Sequence, residues 1–122
     1  MKYPWTDEYL MNKKGTEKDL QPDWNWIRYK LDGKMYCAVC LDDDNAPVYI
    51  TLKLPVEEGQ LMRNLYDDVI PGYYMNKDHW NSIRADGSVP DDAVKSMMDM
   101  AYKTVLSSLS KKKQRQIAAM EE

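Results

Sequence analysis

Between Val48 and Leu54 the apolar residues Val48, Ile50, Leu52 and Leu54 alternate with Tyr49, Thr51 and Lys53. A period of two predicts a strand with one buried side. Two aromatic-rich, β-prone runs precede it, Trp24 to Leu31 and Lys34 to Leu41, with Asp32-Gly33 between them. That dipeptide predicts a type I′ hairpin pairing Leu31 with Lys34 and Tyr29 with Tyr36. The second run is apolar on both faces and is therefore expected at the centre of the sheet. Val94, Met97, Met98, Ala101, Val105 and Leu109 recur at the spacing of a long amphipathic helix, with Ser88 available as a cap.

Shorter signals complete the pattern. Thr6-Asp7-Glu8 before Tyr9 and Leu10, with Gly15 beyond, reads as an N-capped helix stopped by glycine. Pro55 opens a helix through about Tyr66, with Glu57 and Glu58 in its first turn and Leu61, Met62, Leu65 and Tyr66 as its apolar side. Gly59 weakens that helix slightly. Asp67 to Asp78 is a loop with one short extended piece at Tyr73 to Met75, and His79 to Ala85 follows as a strand. Ser110 to Glu122 reads as a helical extension or a frayed tail. The predicted order is α-β-β-β-α-β-α, an α+β fold in which an antiparallel sheet carries helices mainly on one face. Residues 1–122 are expected to form a single domain.

Charge narrows the function. Basic residues number 17 and acidic ones 20, a net charge of −3. Residues 1–44 carry 7 basic and 9 acidic groups, 45–90 carry 4 and 6, and 91–122 carry 6 and 5. Any nucleic-acid site must therefore be a local basic patch rather than a whole-protein field. No apolar stretch is long enough to span a bilayer, so no membrane partner is expected, and the cytoplasm is the expected location. The two cysteines fit a reducing compartment.

Candidate chemistry is sparse. Cys37-Ala38-Val39-Cys40 has redox or zinc spacing, but on a strand residues i and i+3 point to opposite faces, which favours buried thiols. The Met97-Met98-Asp99-Met100 run reads as core packing, and Asp42-Asp43-Asp44 as a solvated turn without calcium-loop spacing. Lys111-Lys112-Lys113 with Arg115 suits a cationic helix end or a phosphate contact. Trp24 and Trp26 share a strand face with Arg28 and Lys30, a pattern that either stacks bases or covers a helix. No cofactor or metal site is expected, and no nucleophile motif accompanies the lone His79, so no enzyme is expected.

One segment is specific. Pro71-Gly72-Tyr73-Tyr74-Met75-Asn76-Lys77-Asp78-His79-Trp80-Asn81-Ser82-Ile83 resembles the signature of the MmcQ/YjbR family of small bacterial proteins. Lys14-Gly15, Leu31 to Tyr36, Thr51-Leu52-Lys53 and Ala101 to Val105 extend the resemblance over about residues 13 to 112. Ala101 stands where the family resemblance leads one to expect serine, and residues 113–122 lie outside the match. The resemblance implies a compact α+β fold, similar to frataxin-like and double-wing DNA-binding arrangements, and a DNA-binding role.

A weak, salt-sensitive DNA-binding reading would use Lys34, Lys53, Asn76, Lys77, His79, Asn81 and Arg84, with cations on phosphates and amides on phosphate or base edges. The alternative is a protein-interaction module in which Pro71 to Ile83 is structural, with Trp80 buried, Asn76 satisfying loop backbone and His79 hydrogen-bonded in a corner. A continuous basic face containing Lys53, Lys77 and Arg84 would favour the first reading, and scattered cations the second. DNA and another protein are the partners considered, and sequence leaves the oligomeric state open.

Overall fold

The computed structural model describes residues 1–72 and 76–120. The extended piece expected at Tyr73 to Met75 lies outside them. Ten elements follow in chain order: α1 Thr6–Met11, β1 Thr16–Gln21, β2 Trp26–Leu31, β3 Lys34–Leu41, β4 Pro47–Lys53, α2 Val56–Leu65, β5 Val69–Pro71, β6 Trp80–Arg84, α3 Asp91–Ser107 and α4 Lys111–Ala118. All strands pair antiparallel in one six-stranded sheet of order β1-β2-β3-β4-β6-β5. The expected α+β class and the inner position of β3 are present. Strands β1 and β5 and helix α4 are additions to the predicted order.

Asp32 and Gly33 both take positive φ, 52° and 77°, as a type I′ turn requires. Leu31 pairs with Lys34 as expected, but Tyr29 pairs with Cys37 rather than Tyr36. Tyr36 is the extra residue of a β-bulge, which sends both Tyr36 and Cys37 into the core. The Tyr36 hydroxyl then lies 2.8 Å from the Thr16 hydroxyl, and its ring packs edge-on against Tyr102.

The core lies between one sheet face and the helices. Tyr29, Leu31, Cys37, Val39, Ile50, Leu52 and Ile83 from the strands meet Leu10 of α1, Val94, Met97, Met98, Ala101 and Val105 of α3 and Ile117 of α4. Each buried large aliphatic side chain contributes roughly 1.5–3 kcal/mol. The opposite sheet face holds only the small cluster of Trp26, Ala38 and Cys40, flanked by Met35 and Tyr49. Trp26 and Arg28 therefore do not pack beneath a helix.

Two capping expectations change, and so does the expected apolar side of α2. The N-cap position of α1 is Trp5, and the Thr6 hydroxyl instead donates 2.7 Å to the Tyr3 carbonyl. Pro90 precedes α3, while Ser88 donates its N–H and hydroxyl to the Asp68 carboxylate at 2.9 and 3.1 Å. Helix α2 turns Gly59, Met62 and Tyr66 toward the protein, leaving Leu61 and Leu65 48% and 60% exposed. Gly59 is required there. A Cβ on it would lie 2.8 Å from Asn81 Nδ2. No described helix is long and apolar enough to cross a membrane.

Candidate functional site

The strand registers sort the seven candidate residues by position along the sheet. Lys53 pairs with Trp80 where β4 ends and β6 begins, and Asn76, Lys77 and His79 lead directly into that end. Lys34 opens β3 at the same end, because β3 and β4 are antiparallel. These five converge on one edge of the molecule. Arg84 is at the far end of β6, opposite Tyr49 and 3.7 Å from the Asp68 carboxylate. No continuous basic face joins Lys53, Lys77 and Arg84, so the face expected for DNA binding is absent in that form and the cationic surface that remains is confined to the end holding Lys34, Lys53 and Lys77.

Asn81 is taken out of the solvent-facing set altogether. It is fully buried on the helix side of β6, where its Oδ1 accepts 3.0 Å from Arg63 Nη1. The same Arg63 nitrogen donates 3.0 Å to the Lys77 carbonyl, so one guanidinium ties α2 both to β6 and to the loop before it. Sequence reasoning misses Arg63, since nothing in the spacing of Arg63, Lys77 and Asn81 links them. Asn76 has a backbone role: its Oδ1 accepts from Asp78 N at 2.9 Å, and its carbonyl from Trp80 N at 2.9 Å. The expected structural use of Asn76 is thus present. His79 differs from the corner expectation, because its side chain is exposed and, among the described residues, its carbonyl is the engaged group, accepting from Leu54 N at 2.8 Å and Asn81 Nδ2 at 3.4 Å. Trp80 is half-buried on the sheet face away from the helices.

Other cations join the same end. Ser110 caps α4 by accepting from Lys113 N at 3.1 Å, and Ile117 anchors the helix against Gly15 and Leu31. Lys113 pairs with Asp32 at 3.3 Å, Lys14 donates to the Ala118 carbonyl at 3.3 Å, and Lys34 reaches Ser108 at 3.5 Å. Lys111, Lys112 and Arg115 stay exposed beside the β2–β3 hairpin. The described carboxylates at this end are Glu17, Asp32, Glu57, Glu58 and Asp78. Aspartates gather instead at the opposite end of the strands: Asp23 after β1, Asp42 to Asp44 after β3, Asp67 and Asp68 before β5, Asp86 after β6, and Asp91 and Asp92 at the start of α3. The charge of a mildly acidic chain is segregated along the strand direction.

On the helix-free face, the pairings set rows across the sheet. Trp26, Cys40, Tyr49 and Arg84 form one row; Asp19, Arg28, Ala38, Thr51 and Ser82 form the next; Lys53 and Trp80 lie in the third. Thr51 and Ser82 share a 2.9 Å hydroxyl contact, and Cys40 Sγ lies 3.4 Å from Thr51 Oγ1. Asp19 engages Arg28 and Lys30 at 2.8 and 2.7 Å, and these hydrogen bonds lower its carboxyl to about 2. Arg28 and Lys30 are thus already neutralised in part. Cys37 and Cys40 are free and buried, one in each cluster; burial raises both thiols, that of Cys40 to about 11. Among the described residues, no group of three or more His, Cys, Asp or Glu could hold a metal.

Comparison with known proteins agrees with the geometry of the fold. The YjbR family model matches residues 11–104. The chain is 30% identical over 108 residues to the uncharacterized protein YjbR of Escherichia coli (strain K12), covering 88% of this chain and 90% of that one. It is 24% identical over 107 residues to the uncharacterized protein YyaQ of Bacillus subtilis (strain 168), covering 78% of this chain and 90% of its relative. A Deinococcus radiodurans crystal structure with domain DUF419 superposes with a TM-score of 0.83 at 21% identity, over 93% of this chain and 85% of the other. A Pseudomonas syringae protein superposes at 0.68 with 20% identity, over 85% and 98%.

Proposed function

The chain belongs to the YjbR family, and on that premise we propose that it is a DNA-binding protein rather than an enzyme, holding phosphates weakly at its lysine-rich end. The observation that carries this reading is the charge segregation. Lys34, Lys53, Lys77, Lys111, Lys112 and Arg115 have no ion pair among the described residues and lie at one end, whereas the aspartate clusters face away. Phosphate neutralisation supplies most non-specific affinity, so a local cationic end suffices even at a net charge of −3. Asn76 and His79 contribute through the exposed loop beside Lys77, whereas Asn81 and Arg84 are excluded by burial and by Asp68.

Fluorescence anisotropy with a labelled oligonucleotide over a salt series tests the reading. Binding is expected at low salt, with affinity falling steeply as salt rises. The pair Lys111→Glu and Lys112→Glu should weaken it uniformly across sequences and reduce the log–log salt slope by about one for each phosphate the variant no longer holds. Arg84→Gln should leave it unchanged. Absence of binding at low salt refutes the proposal. The interaction-module alternative draws on a different observation, the exposed apolar pair Leu61 and Leu65 on α2.

A further inference from the structure

We infer that the DNA this end accepts is single-stranded, with a base stacked on Trp80 and the adjoining phosphates held by Lys53 and Lys77; the inference rests on the DNA-binding reading above. Trp80 is half-buried on the sheet face that no described helix covers. Lys53 pairs with it across β4 and β6, one strand spacing of about 4.8 Å away. Lys77 and His79 are exposed three residues and one residue before it. A half-buried indole paired across the sheet with one lysine, and preceded by a second in the exposed turn, can hold a base by its π face and the adjoining phosphates by charge.

The neighbouring residues favour stacking over edge reading. Thr51 and Ser82, next to Lys53 and Trp80 on the same face, are fully buried, so neither hydroxyl is presented to a base edge. Ala38 lies in the same row. On its β4 side, the row next to Trp80 therefore presents no exposed hydroxyl from Thr51 or Ser82.

Charge disfavours a duplex on this face. The row of Arg84 lies four residues along β6 from Trp80, about 13 Å, and Asp68 and Asp86 sit at that end. A rigid duplex wider than that distance would bring phosphates within about one Debye length of those aspartates. A single strand can follow the lysine-rich edge away from Asp68 and Asp86, meeting there the exposed Asp78 beside Lys77.

Matched-length single-stranded and duplex oligonucleotides titrated by anisotropy at low salt decide the matter. The single strand is expected to bind about fivefold or more tighter. Trp80→Ala should cost the single strand about fivefold or more and leave duplex binding unchanged, while Trp80→Tyr retains most of the affinity. Photocrosslinking of a bromodeoxyuridine strand to the wild-type protein should label the Trp80 peptide, a readout that does not depend on any variant folding. Equal or tighter duplex binding, or crosslinks elsewhere with folded Trp80→Ala unaffected, overturns the inference and leaves the DNA-binding reading standing. Failure of both oligonucleotides to bind removes the two together.

Discussion

Gly59 lies where α2 crosses the buried amide of Asn81, and this contact reverses the usual effect of alanine. In an exposed helix interior Gly→Ala adds about 1 kcal/mol of stability. Here the added methyl would meet Asn81 Nδ2 at 2.8 Å, and Asn81 is held by Arg63 with no solvent space to move into. Gly59→Ala is expected to destabilise the protein by about 1–3 kcal/mol in urea unfolding, and a raised midpoint would disprove the contact. The two thiols permit a second check. Burial raises Cys37 and Cys40, the latter from 9.0 to about 11, so the folded state favours the protonated thiol. The stability that Cys40 contributes is complete below about pH 9 and is lost as pH rises through about 11. Native protein at neutral pH should react with a disulfide reagent only as fast as it opens, and immediate stoichiometric reaction would show the thiols to be accessible. Sequence reasoning anticipates these buried cysteines from the general burial of cysteine, with strand alternation separating the pair. It cannot anticipate the Gly59–Asn81 contact, because only the folded chain brings residues of α2 and β6 together.

Helix α4 shows how an element can be short and still fix the site. Its inward anchor is Ile117, which packs on Leu31 and on Gly15, a residue held at φ 79° where a side chain would crowd both. Ile117→Ala should cost about 2 kcal/mol or more and weaken DNA binding, since Lys111, Lys112 and Arg115 would no longer be held beside the hairpin. Thermal melting together with anisotropy checks this. Unchanged melting would mean that α4 is not docked through Ile117. The elements legible in sequence, β4, the Asp32-Gly33 hairpin and α3, carry strong periodicity or a turn dipeptide. Helices α1 and α2 and strand β6 are also expected from sequence, whereas β1, β5 and α4 lack such a signal. Strand β1 reads Thr-Glu-Lys-Asp-Leu-Gln with a single apolar residue, β5 has three residues ending in proline, and α4 resembles a charged tail until Ile117 is seen to find its pocket. A bulge such as that at Tyr36 is likewise set by the packing of its neighbours rather than by its own dipeptide.

For the whole molecule, antiparallel strands turn alternating stretches of chain into two poles, which is why segment-by-segment charge shows only −2, −2 and +1 while the fold gathers Lys34, Lys53, Lys77, Lys111, Lys112 and Arg115 at one pole and most aspartates at the other. The same sheet leaves β1 with one unpaired edge, and the charge pattern there predicts whether two copies join by it. In an antiparallel pair related by a two-fold axis through the sheet, opposed residues share a face, so one residue must meet its own mate. With Lys18 at the centre, Lys18 meets Lys18 and Glu17 meets Asp19. With Asp19 at the centre, Asp19 meets Asp19. Like charges are directly opposed in both of these central registers, a protection common to natural edge strands, while centring on Leu20 leaves only the Leu20 pair and the two Asp19–Gln21 pairs within the strand, too short a ladder to hold two copies. Sedimentation velocity should therefore find no dimer through this edge in the native protein. Combining Glu17→Lys with Lys18→Ile removes the conflict in the first register, because the new isoleucines face each other and each new lysine faces Asp19 of the other copy. That variant should dimerise in a concentration-dependent way and lose the dimer as salt rises, whereas a native protein that already dimerises through β1 would show the charge argument to be wrong.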